Sequence, residues 1–311
     1  MSIVPTKILV ATDGSKDANL AVSVAVDLSE RTGAELHVVH AWQGPPPMAY
    51  PAASRDYYLA YEREAEREAG GLLEWQVEWI RTSGGIIARA HLRRGRPAEE
   101  ISGLAKELDT DLVVVGSRGL GTVKRLVVGS VSEGVVSLAP CPVLVMRGGE
   151  EAWPPRRLLI GDDGSEEARR AGELAAFIGK LFDARVFLVR VYYPQITYEI
   201  DRASSIRMSE VLSESVRMSY EPLEKGDASL EKRETELESI LGCRLQVKVA
   251  VGDPAALIQE AAEEGEDPAL VAVGSRGLGS VRRFTLGSTS TAILRAASGP
   301  VLIVSPLADA R

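Results

Sequence analysis

One pattern is written twice along this chain, at a spacing too long for any solenoid. Lys7-Ile8-Leu9-Val10-Ala11-Thr12-Asp13-Gly14-Ser15 returns 150 residues on as Arg157-Leu158-Leu159-Ile160-Gly161-Asp162-Asp163-Gly164-Ser165. Gly95-Arg96-Pro97-Ala98 returns 157 residues on as Gly252-Asp253-Pro254-Ala255. Gly116-Ser117-Arg118-Gly119-Leu120-Gly121 returns as Gly274-Ser275-Arg276-Gly277-Leu278-Gly279, and Pro142-Val143-Leu144-Val145 as Pro300-Val301-Leu302-Ile303, both at 158. Solenoid repeats run to a few tens of residues, so this period means duplicated domains. With 311 residues, each copy can bury its own core. The Gly- and Pro-containing stretch from Gly148 to Pro155 reads as the linker, which puts the domains at 1–148 and 154–311. The spacing grows mainly between Tyr192 and Leu241, so the second copy carries a longer insertion there.

Within each copy, short apolar runs alternate with helical patterns. In the first, Ile8 to Ala11 is a strand, and Ser15 caps a helix through Ala18, Ala21, Val22, Ala25 and Leu28 that Gly33 stops. Strand two is expected over Glu35 to Ala41, a charged helix over Arg55 to Ile80, and strand three over Ile86 to Leu92. Pro97 opens a third helix, Leu112 to Val115 is strand four, Ser130 to Leu138 the last helix, and Val143 to Met146 strand five. Strands alternating with helices predict a parallel sheet with right-handed crossovers and helices on both faces. The continuous Val/Leu runs agree, because strands of such sheets are buried on both sides. Ligands in open α/β sheets sit beyond the carboxyl ends of the strands. Asp13, Ala41 and Gly116 fall there, as do Asp163, Val191 and Gly274.

Each glycine string follows an apolar run and precedes a Gly-Ser pair, with nine residues between its second glycine and that pair: Gly129-Ser130 and Gly287-Ser288. Glycines let the backbone turn tightly and let a ligand approach its N–H groups. A Gly-Ser at a helix start adds unpaired donors and the positive end of the helix dipole. Together they form a phosphate cradle, and the chain has two. Tight turns alone are the simpler reading of one string, and Ser130 with Glu133 also fits a capping box. The second copy has Thr291 in place of that Glu, so capping alone does not explain the recurrence. Asp13 and Asp163 also suit ordinary Asp-Gly-Ser turns. Arg118, Lys124, Arg125, Arg276, Arg282 and Arg283 are either phosphate partners or solvated charge.

Other chemistries lack their residues. There is no Gly-x4-Gly-Lys-(Ser/Thr), no Gly-x-Gly-x-x-Gly after strand one and no Gly-x-Ser-x-Gly. His37, His40 and His91 have neither i, i+4 partners nor a cysteine pair, and read as structural. A net charge of −8 argues against nucleic-acid binding. Two cysteines in different halves, no signal-peptide core and no membrane-length apolar run lead to the expectation of a cytoplasmic protein.

At this point the sequence resembles the universal stress protein family, over nearly its whole length and as two tandem copies. The marker is Gly-x2-Gly-x9-Gly-(Ser/Thr), the pattern of that family's ATP-binding branch, complete in both copies. The Asp after strand one and the Gly-x-Pro before helix three strengthen it. The resemblance implies two Rossmann-like (flavodoxin-like) five-stranded domains, each binding adenine nucleotide: ATP, or ADP or AMP, with Mg or Mn. It implies that Asp13 and Asp163 sit near the ribose or a phosphate-bound cation, and that Ala41 and Val191 border the adenine. Gly116, Ser117, Arg118, Gly119, Gly121, Gly129, Ser130 and Val131 would surround ribose and phosphates in the first copy. Gly274, Ser275, Arg276, Gly277, Gly279, Gly287, Ser288 and Thr289 would do so in the second. Small residues, Ala11 and Gly161, stand where some members carry another small residue or proline.

The expected function is that of an ATP-binding stress-response sensor or regulator. Slow metal-dependent ATP hydrolysis and a scaffold with vestigial sites are the alternatives. The copies are expected to pair as a pseudo-dimer through strand five (Val143 to Met146 with Val301 to Val304), since apolar edge strands invite pairing, and whole chains to associate further as a homodimer.

Overall fold

In a computed structural model, the residues described are 4–44, 55–119, 128–192, 196–198, 216–218, 227–265, 267–276 and 286–306. The apolar runs of the first copy form β1 (Lys7–Ala11), β2 (Glu35–Trp42), β3 (Arg89–Arg94), β4 (Leu112–Gly116) and β5 (Val143–Met146). Between them lie α1 (Lys16–Thr32), α2 (Arg55–Thr82), α3 (Pro97–Leu108) and α4 (Ser130–Leu138). The second copy begins with β6 (Arg157–Asp162), α5 (Glu166–Leu181) and β7 (Arg185–Tyr192). Its inserted segment contains two short strands, β8 (Ile196–Tyr198) and β9 (Val216–Met218), paired antiparallel. It continues with α6 (Ala228–Leu241), β10 (Gln246–Val251), α7 (Pro254–Glu263), β11 (Leu270–Gly274), α8 (Ser288–Ala296) and β12 (Val301–Val304).

The first copy orders its strands β3-β2-β1-β4-β5, the second β10-β7-β6-β11-β12, and all neighbours within these two orders are parallel. The fold is the expected α/β fold with two Rossmann-like domains. β5 and β12 meet antiparallel, with Leu302 opposite Leu144, Val301 opposite Val145 and Ile303 opposite Val143. That joint makes one ten-stranded sheet and an intramolecular pseudo-dimer through the strand the sequence nominated.

The two-residue period of the strands sorts the core into two layers. Ile8, Val10, Leu144, Leu158 and Leu302 face α1, α2, α5 and α6. Leu9, Val113, Val143, Leu159 and Ile303 face α3, α4, α7 and α8. Each layer runs unbroken across the joint between the copies. The linker is held in place as well: the Trp153 indole N–H donates to Asp27 Oδ2 at 2.8 Å, and its ring meets Phe182 edge-on with centroids 4.8 Å apart.

Local signals act where expected. Ser15 and Ser165 accept from the Ala18 and Ala168 amides at 3.3 and 3.2 Å, and Gly33 closes α1 at φ 73°. Two expectations need correcting. Strand three forms at Arg89–Arg94 rather than from Ile86, which is exposed. α2 runs on to Thr82, Gly84 and Gly85 turn the chain back, and the first hydrogen bond to β2 comes only at the Ala88 amide. The Ser130/Glu133 capping box does not form either, because the N-cap is Gly129 and Glu133 instead meets Arg295 from the other domain. Among the described residues, no helix is long and apolar enough to cross a membrane.

Candidate functional site

The order β3-β2-β1-β4-β5 reverses direction between β1 and β4, and the connections leaving those two strands part on opposite faces. A crevice opens at such a switch point, beyond the carboxyl ends of the strands. Asp13 follows β1 on one side of it and the first glycine string follows β4 on the other. The second domain repeats this between β6 and β11, with Asp163 and the second string.

Backbone hydrogen bonds shape both strings alike. The Ser117 amide donates to Met146 O at 2.8 Å and the Gly129 amide to Ser117 O at 2.7 Å, which returns the chain to the crevice where α4 begins. The Ser275 amide donates to Val304 O and the Gly287 amide to Ser275 O at the same 2.8 and 2.7 Å. Ser132 Oγ donates to Gly116 O at 2.7 Å, and Ser290 Oγ to Ser275 O at 2.8 Å, fastening each helix to its strand end. The helices therefore start beside the strings, with Gly129 and Gly287 as N-caps that provide no side-chain hydrogen bond. The first-turn amides of Ser130, Val131, Ser288 and Thr289 keep their donors for another acceptor, at the positive end of each helix dipole. Ser130 and Ser288 are exposed.

The glycines do different work. A Cβ on Gly116 would lie 2.6 Å from the Ala18 nitrogen, and one on Gly274 2.8 Å from the Ala168 nitrogen. Those two let α1 and α5 close onto the strand ends. A Cβ on Gly119 would lie 2.4 Å from Asp13 Oδ2, so this glycine brings the string alongside the Asp13 carboxylate. Asp13 Oδ1 accepts the Ser15 amide at 3.0 Å and Asp163 Oδ1 the Ser165 amide at 2.9 Å. Each aspartate thus fixes its turn through Oδ1. Ala41 and Val191 lie near the carboxyl ends of β2 and β7, partly buried against the core layer that faces α3, α4, α7 and α8. Gly121, Gly277 and Gly279 lie outside the described residues, as do Lys124, Arg125, Arg282 and Arg283.

One residue escaped the sequence reading. Asp17 Oδ2 accepts the Ser117 hydroxyl at 2.7 Å and Arg118 Nε at 3.0 Å, which couples α1 to the first string. The signal was an acid two residues after each capping serine, Asp17 and Glu167, easily mistaken for ordinary first-turn acid.

Beneath the crevices, equivalent positions carry different chemistry. In the first domain, Thr12 Oγ1 and Gln76 Oε1 are 3.0 Å apart, and His40 Nδ1 lies 2.7 Å from Thr12 O. In the second, the fully buried Asp162 carboxylate pairs with Arg190, and with Arg233 at 3.5 Å. Arg190 also reaches Asp227 at 2.7 Å, and Tyr192 OH donates to the same carboxylate oxygen at 2.5 Å. Burial pushes the Asp227 carboxyl up, but the hydroxyls of Ser229 and Tyr192, the Leu230 amide and Arg190 outweigh it and hold it at about 2. Burial and Asp227 push the Tyr192 phenol up to about 12. One floor is built of hydroxyl, amide and imidazole groups and the other of carboxylate–guanidinium pairs. Elsewhere, His37 Nδ1 and His91 Nε2 lie 3.0 Å apart across β2 and β3, a pairing that sequence spacing does not reveal.

Comparison with known proteins agrees with the duplicated α/β fold. The sequence profile of the universal stress protein family matches residues 5–147 and again 155–305. A relative from Thermus aquaticus, a universal stress protein in the QAH/OAS sulfhydrylase 3' region, is 39% identical over 140 residues, covering 45% of this chain and 97% of its own. The crystal structure of a universal stress protein from Archaeoglobus fulgidus superposes with a TM-score of 0.67 at 23% identity, covering 96% of this chain and 98% of that one. A functionally unknown protein from Pseudomonas aeruginosa superposes at 0.64 and 16% identity, covering 98% of this chain and 94% of its own.

Proposed function

The chain belongs to the universal stress protein family, carrying its domain twice, and from that premise we propose that each domain holds one adenine nucleotide and that the protein works as a cytoplasmic stress-response sensor or regulator. The observation that carries this reading is the matched pair of helix starts at Gly129-Ser130 and Gly287-Ser288, without side-chain caps and each beside a glycine string at a switch-point crevice. Phosphates supply the acceptors and the negative charge such a helix start favours. ATP, ADP and AMP share that chemistry.

Gly119, Gly129, Ser130 and Val131 would cradle the phosphates of the first nucleotide, and Gly277, Gly287, Ser288 and Thr289 those of the second, with Gly121 and Gly279 completing the strings. Arg118 and Arg276 stand beside them. Ala41 and Val191 would border the bases. Asp13 and Asp163 would meet the ribose or a Mg or Mn ion carried by the phosphates. Among the described residues, no three His, Cys, Asp or Glu side chains form a metal cluster, so such an ion would draw most of its ligands from the nucleotide. Binding stabilises the folded chain by about 2.7 kcal/mol at a ligand concentration 100 times Kd, and it alters partner contacts only if ligand affinity differs between two shapes of the chain.

The test begins with the purified protein, denatured so that any bound nucleotide enters the supernatant. ATP should raise the melting temperature of the emptied protein. Ser130→Pro with Ser288→Pro deletes one amide donor and one hydroxyl per site. Gly129 (φ −68°, ψ 146°) and Gly287 (φ −66°, ψ 158°) already have the backbone a following proline requires. That variant should bind at least tenfold more weakly. No released nucleotide and no thermal shift would overturn the reading. In a single-turnover assay with divalent metal, hydrolysis lost on Asp13→Ala and Asp163→Ala together would instead favour a slow ATPase.

A further inference from the structure

We propose that the two sites are coupled, each strengthening the other, through crossed contacts between the Gly-Ser helix of one domain and the last strand of its partner; the inference rests on the nucleotide reading above. α4 starts at the first crevice and ends against the second domain, where Val136 O accepts Ser305 Oγ at 3.2 Å. Ser305 directly follows Val304, whose carbonyl accepts the Ser275 amide at 2.8 Å and so helps shape the second string. The reverse path has the same form. α8 starts at the second crevice, and at its other end Arg147 Nη1 donates to Leu294 O at 2.7 Å and to Arg295 O at 3.4 Å. Arg147 directly follows Met146, whose carbonyl accepts the Ser117 amide at 2.8 Å. A third contact joins the helices: Arg295 Nε in the last turn of α8 donates to Glu133 Oε1 in the first turn of α4 at 2.8 Å.

Each site is therefore connected to the other by one short helix and two hydrogen bonds. The sign of the coupling follows from the geometry. A phosphate at the amino end of α4 fixes the helix whose Val136 carbonyl holds Ser305, and so steadies the strand end that shapes the second string. A phosphate at the amino end of α8 fixes the helix whose last carbonyls hold Arg147, which is buried at the joint, and so steadies the strand end that shapes the first. The second nucleotide then meets a site already ordered by the first and binds more tightly. Linkage makes the effect reciprocal.

The experiment is calorimetric titration of the full chain with ATP and Mg in the wild type, in Ser130→Pro (only the second site intact) and in Ser288→Pro (only the first intact). Proline adds no charge that would imitate a phosphate. Each intact site should bind about fivefold more weakly than the same site in the doubly filled wild type. Arg147→Gln should shrink that difference to below twofold, and Ser305→Ala, which removes one hydroxyl and leaves the core untouched, should reduce it in part. Equal site affinities with and without a filled neighbour would overturn the coupling while leaving nucleotide binding intact. No binding by the wild type would overturn the proposed function, and the coupling with it.

Discussion

At Gly116 a Cβ would press on the backbone of Asp17 and Ala18, at 2.6 Å from both the Asp17 carbonyl carbon and the Ala18 nitrogen, while at Gly119 it would press on a side-chain atom, Asp13 Oδ2, at 2.4 Å. Backbone cannot step aside and a carboxylate can. Gly116→Ala should destabilise the protein by about 1–3 kcal/mol, the usual cost of overpacking, read from urea midpoints without ligand. Gly119→Ala should leave that midpoint nearly unchanged and raise the Kd for ATP several-fold, because it displaces Asp13. The same logic applies under the second crevice, where Asp162 is fully buried against Arg190. Arg190→Ala should cost about 3–5 kcal/mol by leaving that carboxylate without its main partner. Glycine positions are legible in sequence, but their division of labour is not. Gly116 and Gly119 look equivalent until α1 is seen to press on one of them.

Helix ends and strand pairs carry the next level. Ser15 and Ser165 cap α1 and α5 through the same hydrogen bond, so Ser15→Ala and Ser165→Ala should each lower stability by about 1 kcal/mol in chemical denaturation. The β2–β3 edge carries a pH dependence. Burial first, then the charges of His37, Arg89 and Arg93, hold the His91 imidazole down to about 4, with Glu107 opposing, and burial also lowers His37 against the pull of Glu35. The unfolded chain takes up these protons near pH 6.5, while in the folded chain His91 resists until about 4 and His37 is held below its ordinary value. Stability is therefore lost as pH falls through that window, by at most about 3 kcal/mol for His91. Urea midpoints measured from pH 7.5 to 4.5 should fall more steeply for the wild type than for His91→Gln. The identity of nearly every element was readable from apolar periodicity. The start of β3 was not, because an edge strand bearing four charged or imidazole side chains in six residues (Arg89, His91, Arg93 and Arg94) has little apolar pattern to read.

On the scale of the whole molecule, the two core layers pass through the β5–β12 joint without interruption, and Leu144 and Leu302 face each other across it, fully buried. Neither domain can lose its last strand without exposing the core of the other. Calorimetry should show one cooperative unfolding transition. Leu144→Ala should lower it by about 2–5 kcal/mol as a single step, without splitting it in two. The strand-five pairing was anticipated because an uncovered run of Val, Leu and Met must find a neighbour. The crossed contacts beside it, Arg147 to Leu294 and Ser305 to Val136, have no sequence signal, since they join residues more than 140 positions apart.

The amino-acid order alone determined the duplication, the α/β class, the crevice-facing glycine strings and the paired Gly-Ser helix starts. These follow from local causes: period-two burial, glycine geometry and serine caps. Tertiary structure decided which glycines serve packing and which face the crevice, that Asp17 holds Ser117 and Arg118, that only the second crevice has a carboxylate–guanidinium floor, and that each Gly-Ser helix ends on the opposite domain. Those properties depend on distances between segments far apart in the chain, and such distances exist only once the sheet has closed across its joint.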